Sequence, residues 1–255
     1  MSGGPIMTAL PPVPASLGAD LASKGFGYAP AMQTMPWLEG YGLKDWPGFA
    51  ESWNNLGVDR FMADGGRYRR RRYAVFSVRC PEGQEPILTR KPHQPHYQSR
   101  DYNPINGGVE RWFNPIEDHI AHHPAMQACL KAALSRANAL TAPEKRPPSW
   151  HVEVHQFRIE AAPGMDGNPN PEGLHRDGVD WVYAMMVQRR NVQQGDTTIT
   201  ALDKKTPLGH FTLTNPMDVA FVNDHKVYHG ATPVKPVVED KPAWRDVLVI
   251  TMRHE

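Results

Sequence analysis

The sequence predicts a mainly β (α+β) protein, a cupin-like jelly roll braced by N-terminal helices, and three observations predict it. From Ser149 onward apolar residues recur with a period of two, the alternation of a half-buried strand. Short apolar runs at 181–187, 196–202, 210–213, 218–222, 226–229 and 247–252 follow one another with turn signals between them and no helical pattern, which describes a double-sheet roll. The 25 prolines and 21 glycines fall largely between short apolar runs, the punctuation of a β-rich fold. A chain of 255 residues is commonly one domain. We read 1–60 as an extension with short helices, 61–148 as a strand, loop and helix support, and 149–255 as the jelly-roll core.

Composition excludes several function classes. The net charge of +1 gives no global field to recruit nucleic acid or an acidic membrane. Cys80 and Cys129 lie far apart and form no Cys-x-x-Cys, which argues against a disulfide scaffold or thiolate metal site and fits a reducing, cytoplasmic location. The first forty residues lack a basic start and a sustained apolar core, so neither a signal peptide nor a membrane span is expected.

In chain order, residues 1–14 are Pro-rich and carry no pattern that buries a face, so a loosely held segment is expected. A short helix follows, with Ser16 as cap and Gly25 as stop. A second helical pattern lies within 31–56, centred on 46–53, where Asp45 caps and Gly57 ends it. The run 67–78 is a strand whose first half is strongly basic. In a nearly neutral chain the Arg69 to Arg72 patch reads as a strand end that is solvated or meets acidic neighbours, with a nucleic-acid surface as the alternative. Between these stands an arginine that reaches a substrate carboxylate bidentately. Residues 92–108 form a long polar loop holding His93, His96, Tyr97, Tyr102 and Asn103, and loops of this length in compact domains are often functional. Ile116, Ile120, Leu130, Ala133, Leu134 and Ala137 then recur at helical spacing, with Asn114 as cap, Pro115 in the first turn and Pro124 kinking or splitting the helix.

On the strand 150–159, His151, Glu153, His155 and Phe157 share one face. His-x-Glu-x-His is a competing metal motif, but alternate residues stand about 7 Å apart along a strand, so three in line converge poorly. His155 is better read as a cavity-lining residue.

The stretch 172–181 carries the principal site. His175 and Asp177, two apart at the start of an apolar run, project toward a common point, and His229 arrives before a glycine turn at the end of another run. Two histidines and one carboxylate form a facial metal triad that leaves positions open, as non-haem Fe(II) oxygenases require. The tripeptide alone is weak: about one His-x-acid match is expected by chance in this composition, and His151-Val-Glu153 is another. Arg245, heading the last strand, is the candidate anchor for a bidentate carboxylate, with Arg253 at the other end as fallback. Trp181 and Tyr183 share the parity of His175 and Asp177 and either line the pocket or pack the core.

The order of these motifs is informative: His175-Arg-Asp177-Gly-Val-Asp, then Asn191 and Gly195-Asp-Thr-Thr, then Asp218, Asp224 and Tyr-His229-Gly-Ala-Thr-Pro, then Trp-Arg245-Asp-Val-Leu-Val-Ile-Thr. With Gly66-Arg-Tyr-Arg-Arg and Pro-Ile-Asn-Gly-Gly-Val-Glu-Arg111, it resembles the bacterial 2-oxoglutarate/Fe(II) dioxygenases that include the free L-isoleucine and L-leucine hydroxylases and the biofilm- and stress-associated BsmA proteins. The resemblance spans residues 65–253. It implies a double-stranded β-helix, Fe(II) held by His175, Asp177 and His229, 2-oxoglutarate gripped by Arg245, O₂ as oxidant, and a free amino acid or similar small molecule as substrate. His155, Trp181, Tyr183, Tyr102 and Asn103 are then the candidate substrate-binding residues. Two other readings are a cupin-type metalloprotein using His151, Glu153 and His155, and a non-catalytic stress-response or binding protein using the Arg69 to Arg72 patch.

Overall fold

Alternation along the strands gives this protein a two-faced sheet. The structure is a computed structural model and describes residues 11–62 and 64–255; the expectation for residues 1–10 lies outside the described residues. In chain order, a π-helical turn (Ser16–Asp20) and α1 (Leu21–Lys24) precede strand β1 (Phe26–Ala29). Helices α2 (Ala31–Gly40) and α3 (Trp46–Glu51) lead through a 3₁₀ turn (Ser52–Asn55) to β2 (Gly57–Val58), β3 (Arg69–Arg79) and β4 (Ile87–Arg90). Helices α4 (Asp118–Ala121) and α5 (Pro124–Leu140) come next. The remainder holds β5 (Trp150–Ala161), β6 (Trp181–Arg190), β7 (Val192–Gln194), β8 (Asp196–Thr200), β9 (Pro207–Thr212), β10 (Val219–Asn223), β11 (Tyr228–Ala231), β12 (Val234–Pro236) and β13 (Ala243–His254).

The large antiparallel sheet runs β1-β10-β6-β13-β5-β3-β2, with β4 on β3. Strands β5 and β13 pair along their whole length, from Ala161 opposite Ala243 to Trp150 opposite His254. Alternate residues point to opposite faces. Trp150, Val152, Val154, Leu248, Ile250 and Met252 therefore turn one way, into a core with Trp37, Phe49, Trp53, Leu130 and Leu134 of the helical layer. His151, Glu153, His155, Phe157, Arg245, Val247, Val249 and Thr251 turn the other way, into a cavity. Strands β11-β8-β9 and the pair β12-β7 form the facing layer, and β8 contributes Thr197 and Ile199 to that cavity.

Several local expectations are corrected. Ser16 does not cap: Ala15 precedes the first turn, and the Ser16 hydroxyl is buried without a partner. Gly25 does stop α1, in the left-handed region at φ +81°, and Asp45 caps α3 by accepting from Gly48 N at 3.1 Å. No helix begins at Asn114; Pro115 instead bridges Tyr73 in parallel, and α4 starts at Asp118. Pro124 splits the helical stretch as expected, because His123 caps a new helix by accepting from Ala125 N at 3.2 Å. The sheet also does not begin at 149, since β1 and β3 are members of it. Phe26–Ala29 is too short to show a period, and its strand form comes from pairing with β10. Two stretches read as turns, around 191–195 and 233–242, contain the short paired strands β7 and β12. Both cysteines are free. Among the described residues no helix is long and apolar enough to cross a membrane.

Asp218 fastens the helical layer to the sheet. Fully buried, it accepts from Ala31 N at 2.9 Å at the start of α2, and from Thr214 N and Asn215 N at 2.8 Å each in the β9–β10 turn. Removing the acceptor leaves buried N–H groups unpaired, at about 1–3 kcal/mol for each group left unsatisfied. Asp218→Ala is therefore expected to lower unfolding stability by at least about 2 kcal/mol, read as a fall in urea midpoint at unchanged m-value.

Candidate metal centre and its cavity

A cavity of about 620 Å³ lies between the two layers. At one end His175 and His229 face each other, fixed by reciprocal backbone hydrogen bonds of 2.9 and 3.0 Å. The sequence expectation of a strand at 175–177 is corrected: His175 makes this single bridge, and regular strand begins only at Trp181. Gly173, at φ +73°, turns the chain so that its carbonyl lies 3.0 Å from His175 Nδ1. A proton on Nδ1 satisfies that carbonyl and leaves the Nε2 lone pair for the cavity.

Asp177 completes the group. Its Oδ1 is 3.7 Å from His175 Nε2 and its Oδ2 is 3.6 Å from His229 Nε2. One ligand atom from each of the three residues lies within 4.8 Å of the others. The backbone that presents Asp177 is held by buried Asp224, which accepts from Asp177 N at 3.0 Å, Gly178 N at 2.8 Å and Val179 N at 3.2 Å. Gly178 adopts φ +78°, and a Cβ there would stand 2.6 Å from the Tyr102 ring.

The electrostatics fit a cation. Burial alone pushes the His229 imidazole down, yet its pKa is raised overall by its hydrogen bond to Asp224 and by the charges of Asp177, Asp224 and Glu172. Burial raises the Asp224 carboxyl, and His229 with the backbone N–H donors outweighs it, holding the group below the usual carboxylate range. Among the described residues no Lys or Arg forms an ion pair with Asp177, Asp224 or Glu172. Two imidazole nitrogens and a carboxylate converging amid excess negative charge are the donor set of a divalent metal with positions left open.

Arg245 lines the same cavity with Val247, Ile199 and Leu213. It is 5% exposed, and its Nε is buried without a partner. Burial and the neighbouring Arg189 push its pKa down to about 10. A buried guanidinium without a carboxylate is expensive, so this end of the cavity is built for an anion. Arg253, at the other end of β13, is exposed.

A second group gathers His96, Glu153 and His155. The in-line set His151, Glu153, His155 is thus corrected to one in which the loop residue His96 replaces His151, its Nδ1 lying 2.7 Å from Glu153 Oε2. This group is poorly suited to a metal. Arg71 Nη2 lies 2.6 Å from His155 Nδ1 and occupies its lone pair. Burial first, then Arg71 and His96, push the His155 pKa well below its ordinary value.

The basic run meets acidic neighbours. Arg69 and Arg71 are buried against Asp59, at 2.8 and 3.5 Å, while Arg70 pairs with Glu160 and Arg72 with Glu117. The loop is tied over the site, with Gln98 Nε2 donating to Asp177 O at 3.0 Å and Asn103 Nδ2 donating to Gln98 Oε1 at 3.0 Å.

The structure thus brings His175, Asp177, His229, Arg245, His155, Tyr102 and Asn103 to one cavity. Trp181 and Tyr183 are not among its lining residues, and this is a correction. Both pack against Phe221, Trp181 also donating to Thr141 Oγ1 at 3.1 Å. Val182 and Ala184 line the cavity instead. Counting by twos from His175 requires an unbroken strand, and the turn around Asp224 breaks it. Asp224, Glu172 and Arg111 were not identified as site residues from the sequence, because nothing local marks an acidic or basic side chain that folding will bury.

Comparison with known proteins places the chain among characterised relatives. A family model described as 2OG-Fe dioxygenase matches residues 50–251. The chain is 26% identical over 205 residues to a 3(1)-hydroxy-L-isoleucine 4-dioxygenase of Pantoea ananatis, covering 80% of this chain and 78% of that protein. It is 25% identical over 160 residues to an L-isoleucine-4-hydroxylase of Bacillus thuringiensis, covering 63% and 65% respectively. The crystal structure of a bsmA homolog from Methylobium petroleophilum superposes with a TM-score of 0.82 at 33% identity, over 99% of this chain and 97% of that one.

Gly178 lies where the Asp177 turn meets the Tyr102 ring of the loop. Gly178→Ala is expected to displace Tyr102 and loosen the 92–108 loop, since a left-handed φ disfavours Ala and the ring blocks its methyl. Limited proteolysis should then cut within this loop faster in the variant than in the wild type.

Proposed function

The chain belongs to the 2OG-Fe dioxygenase family, and from that premise we propose that His175, Asp177 and His229 hold its Fe(II), that Arg245 grips the far carboxylate of 2-oxoglutarate, and that the substrate is a free aliphatic L-amino acid. The observation that carries the reading is the joint placement, in one cavity, of the two imidazoles, the carboxylate and a buried guanidinium without an ion pair among the described residues. Fe(II), 2-oxoglutarate and O₂ together supply oxidative decarboxylation of 2-oxoglutarate to succinate and CO₂, with one oxygen atom entering a substrate C–H bond.

The side chains prepare the site for that chemistry. Gly173 O fixes the His175 tautomer, and Asp224 fixes the backbone of Asp177, so neither group must reorganise to bind metal. Val247, Val249, Ile199 and Leu213 keep the approach to Arg245 apolar, which strengthens its pairing with an anion. Tyr102 and Asn103 close one side of the cavity through the loop. The amino-acid class is supported by the names of the two isoleucine-acting relatives and by the charged groups along the cavity wall. The two free cysteines support a reducing, cytoplasmic setting.

A succinate-release assay with Fe(II), 2-oxoglutarate and each free amino acid tests the reading. Succinate release is expected with an aliphatic amino acid in the wild type and none above background in Asp177→Ala; undiminished turnover in the variant would sink the assignment. Arg245→Gln is expected to raise KM for 2-oxoglutarate by about 100-fold or more, the scale of losing one partner of a buried charge pair. Metal content should fall in His175→Ala and persist in His96→Ala, and the reverse pattern would move the metal to the His96, Glu153, His155 group.

A further inference from the structure

Arg111 is the least explained charge in the molecule. It is 3% exposed and lines the cavity, yet its Nε and Nη2 are buried without a hydrogen-bond partner. It forms no ion pair among the described residues. An isolated buried cation costs several kcal/mol, so a folded chain that keeps one has an anion for it.

Its surroundings identify the shape of that anion. Arg111 is fixed from behind by the backbone bridge to His96, at 2.9 and 3.0 Å. Arg71 lies beside it, its guanidinium between Phe113 and Phe157 with ring centroids at 3.6 and 4.4 Å. Its Nη groups engage Asp59 and His155, while its Nε is buried and unpartnered. Two rigid guanidiniums with free N–H groups match one planar carboxylate. Arg69 and Arg71 already share Asp59, and Arg111 feels Asp59, Glu153 and Glu172 only at a distance, with no ion pair to any of them among the described residues, while burial pushes the pKa values of His96 and His155 down. Arg71 and Arg245 stand on opposite sides of β5, Arg71 on β3 opposite Phe157 and Arg245 on β13 opposite Ile159.

We propose that Arg111, with Arg71 beside it, binds the α-carboxylate of the substrate, orienting its side chain toward His175, Asp177 and His229. The assignment rests on the amino-acid reading above and goes further, because it makes the carboxylate the group that the enzyme selects and gives it a place distinct from Arg245.

Wild-type protein provides a test that needs no variant. The amino acid that releases most succinate, L-isoleucine being expected, is titrated calorimetrically into protein loaded with Fe(II) and 2-oxoglutarate without oxygen. L-isoleucinol and 2-methylbutylamine, which lack the carboxylate, are titrated alongside. The acid is expected to bind at least about 100-fold more tightly than either analogue. In Arg111→Gln the ratio should fall below about tenfold, and Arg111→Lys should recover part of it. A purely structural role for Arg111 weakens acid and analogues alike and leaves the ratio intact, which overturns the assignment, as does equal binding of acid and amine by the wild type. A wild type that hydroxylates isoleucine but shows no such ratio removes the subsite alone. One that binds no amino acid and releases no succinate with any removes the functional reading as well.

Discussion

The carboxylate of Asp224 is the constraint on which the centre depends. Its two oxygens accept three consecutive backbone N–H groups, those of Asp177, Gly178 and Val179, and one of them also lies 3.3 Å from His229 Nε2. A single buried acid therefore sets the turn that presents Asp177, ends the extended path from His175, and stands beside the histidine that arrives from the other layer. Such multiply satisfied acceptors are stable in the interior because each lone pair is used. The reciprocal bridge between His175 and His229 closes the same unit from the opposite side.

Around that unit the fold separates its two duties by strand parity. One face of the large sheet is packed against α2, α3 and α5 with large apolar side chains, and that burial carries the stability. The other face carries His151, Glu153, His155, Arg245 and Thr251 on the same two central strands. Charged groups are tolerated there because Asp59, Glu153 and the loop histidine His96 satisfy many of them. Among the described residues Arg111 and Arg245 form no ion pair, so the cavity has two places suited to an anion and one cluster suited to a cation. The proposed pairing of a metal, an oxoacid and an amino acid requires that distribution.

The loop 92–108 belongs to the site as much as the strands do. Gln98 and Asn103 tie it to the Asp177 backbone, Tyr102 lies over Gly178, and His96 meets Glu153. Its order comes from these contacts with distant residues, so its length and polar side chains mark it as a functional loop without saying which residues it meets.

The sequence by itself determined the strand-rich class, the position of the His175-Arg-Asp177 tripeptide, the split at Pro124 and the order of His175, Asp177, His229 and Arg245. These are properties of period, of local turn chemistry and of motif order, and they survive without knowledge of what lies across the sheet. Only the tertiary structure decided which face of β6 lines the cavity, because the Asp224 turn resets the count between Asp177 and Trp181. Only it recruited β1 to the sheet, brought the loop residue His96 to Glu153, and buried Arg111 with no ion pair among the described residues. In each case the deciding partner is remote in sequence: Asp224 for the turn, β10 for β1, the loop for Glu153. Parity and propensity describe neighbours along the chain, whereas burial and charge balance are set by neighbours in space.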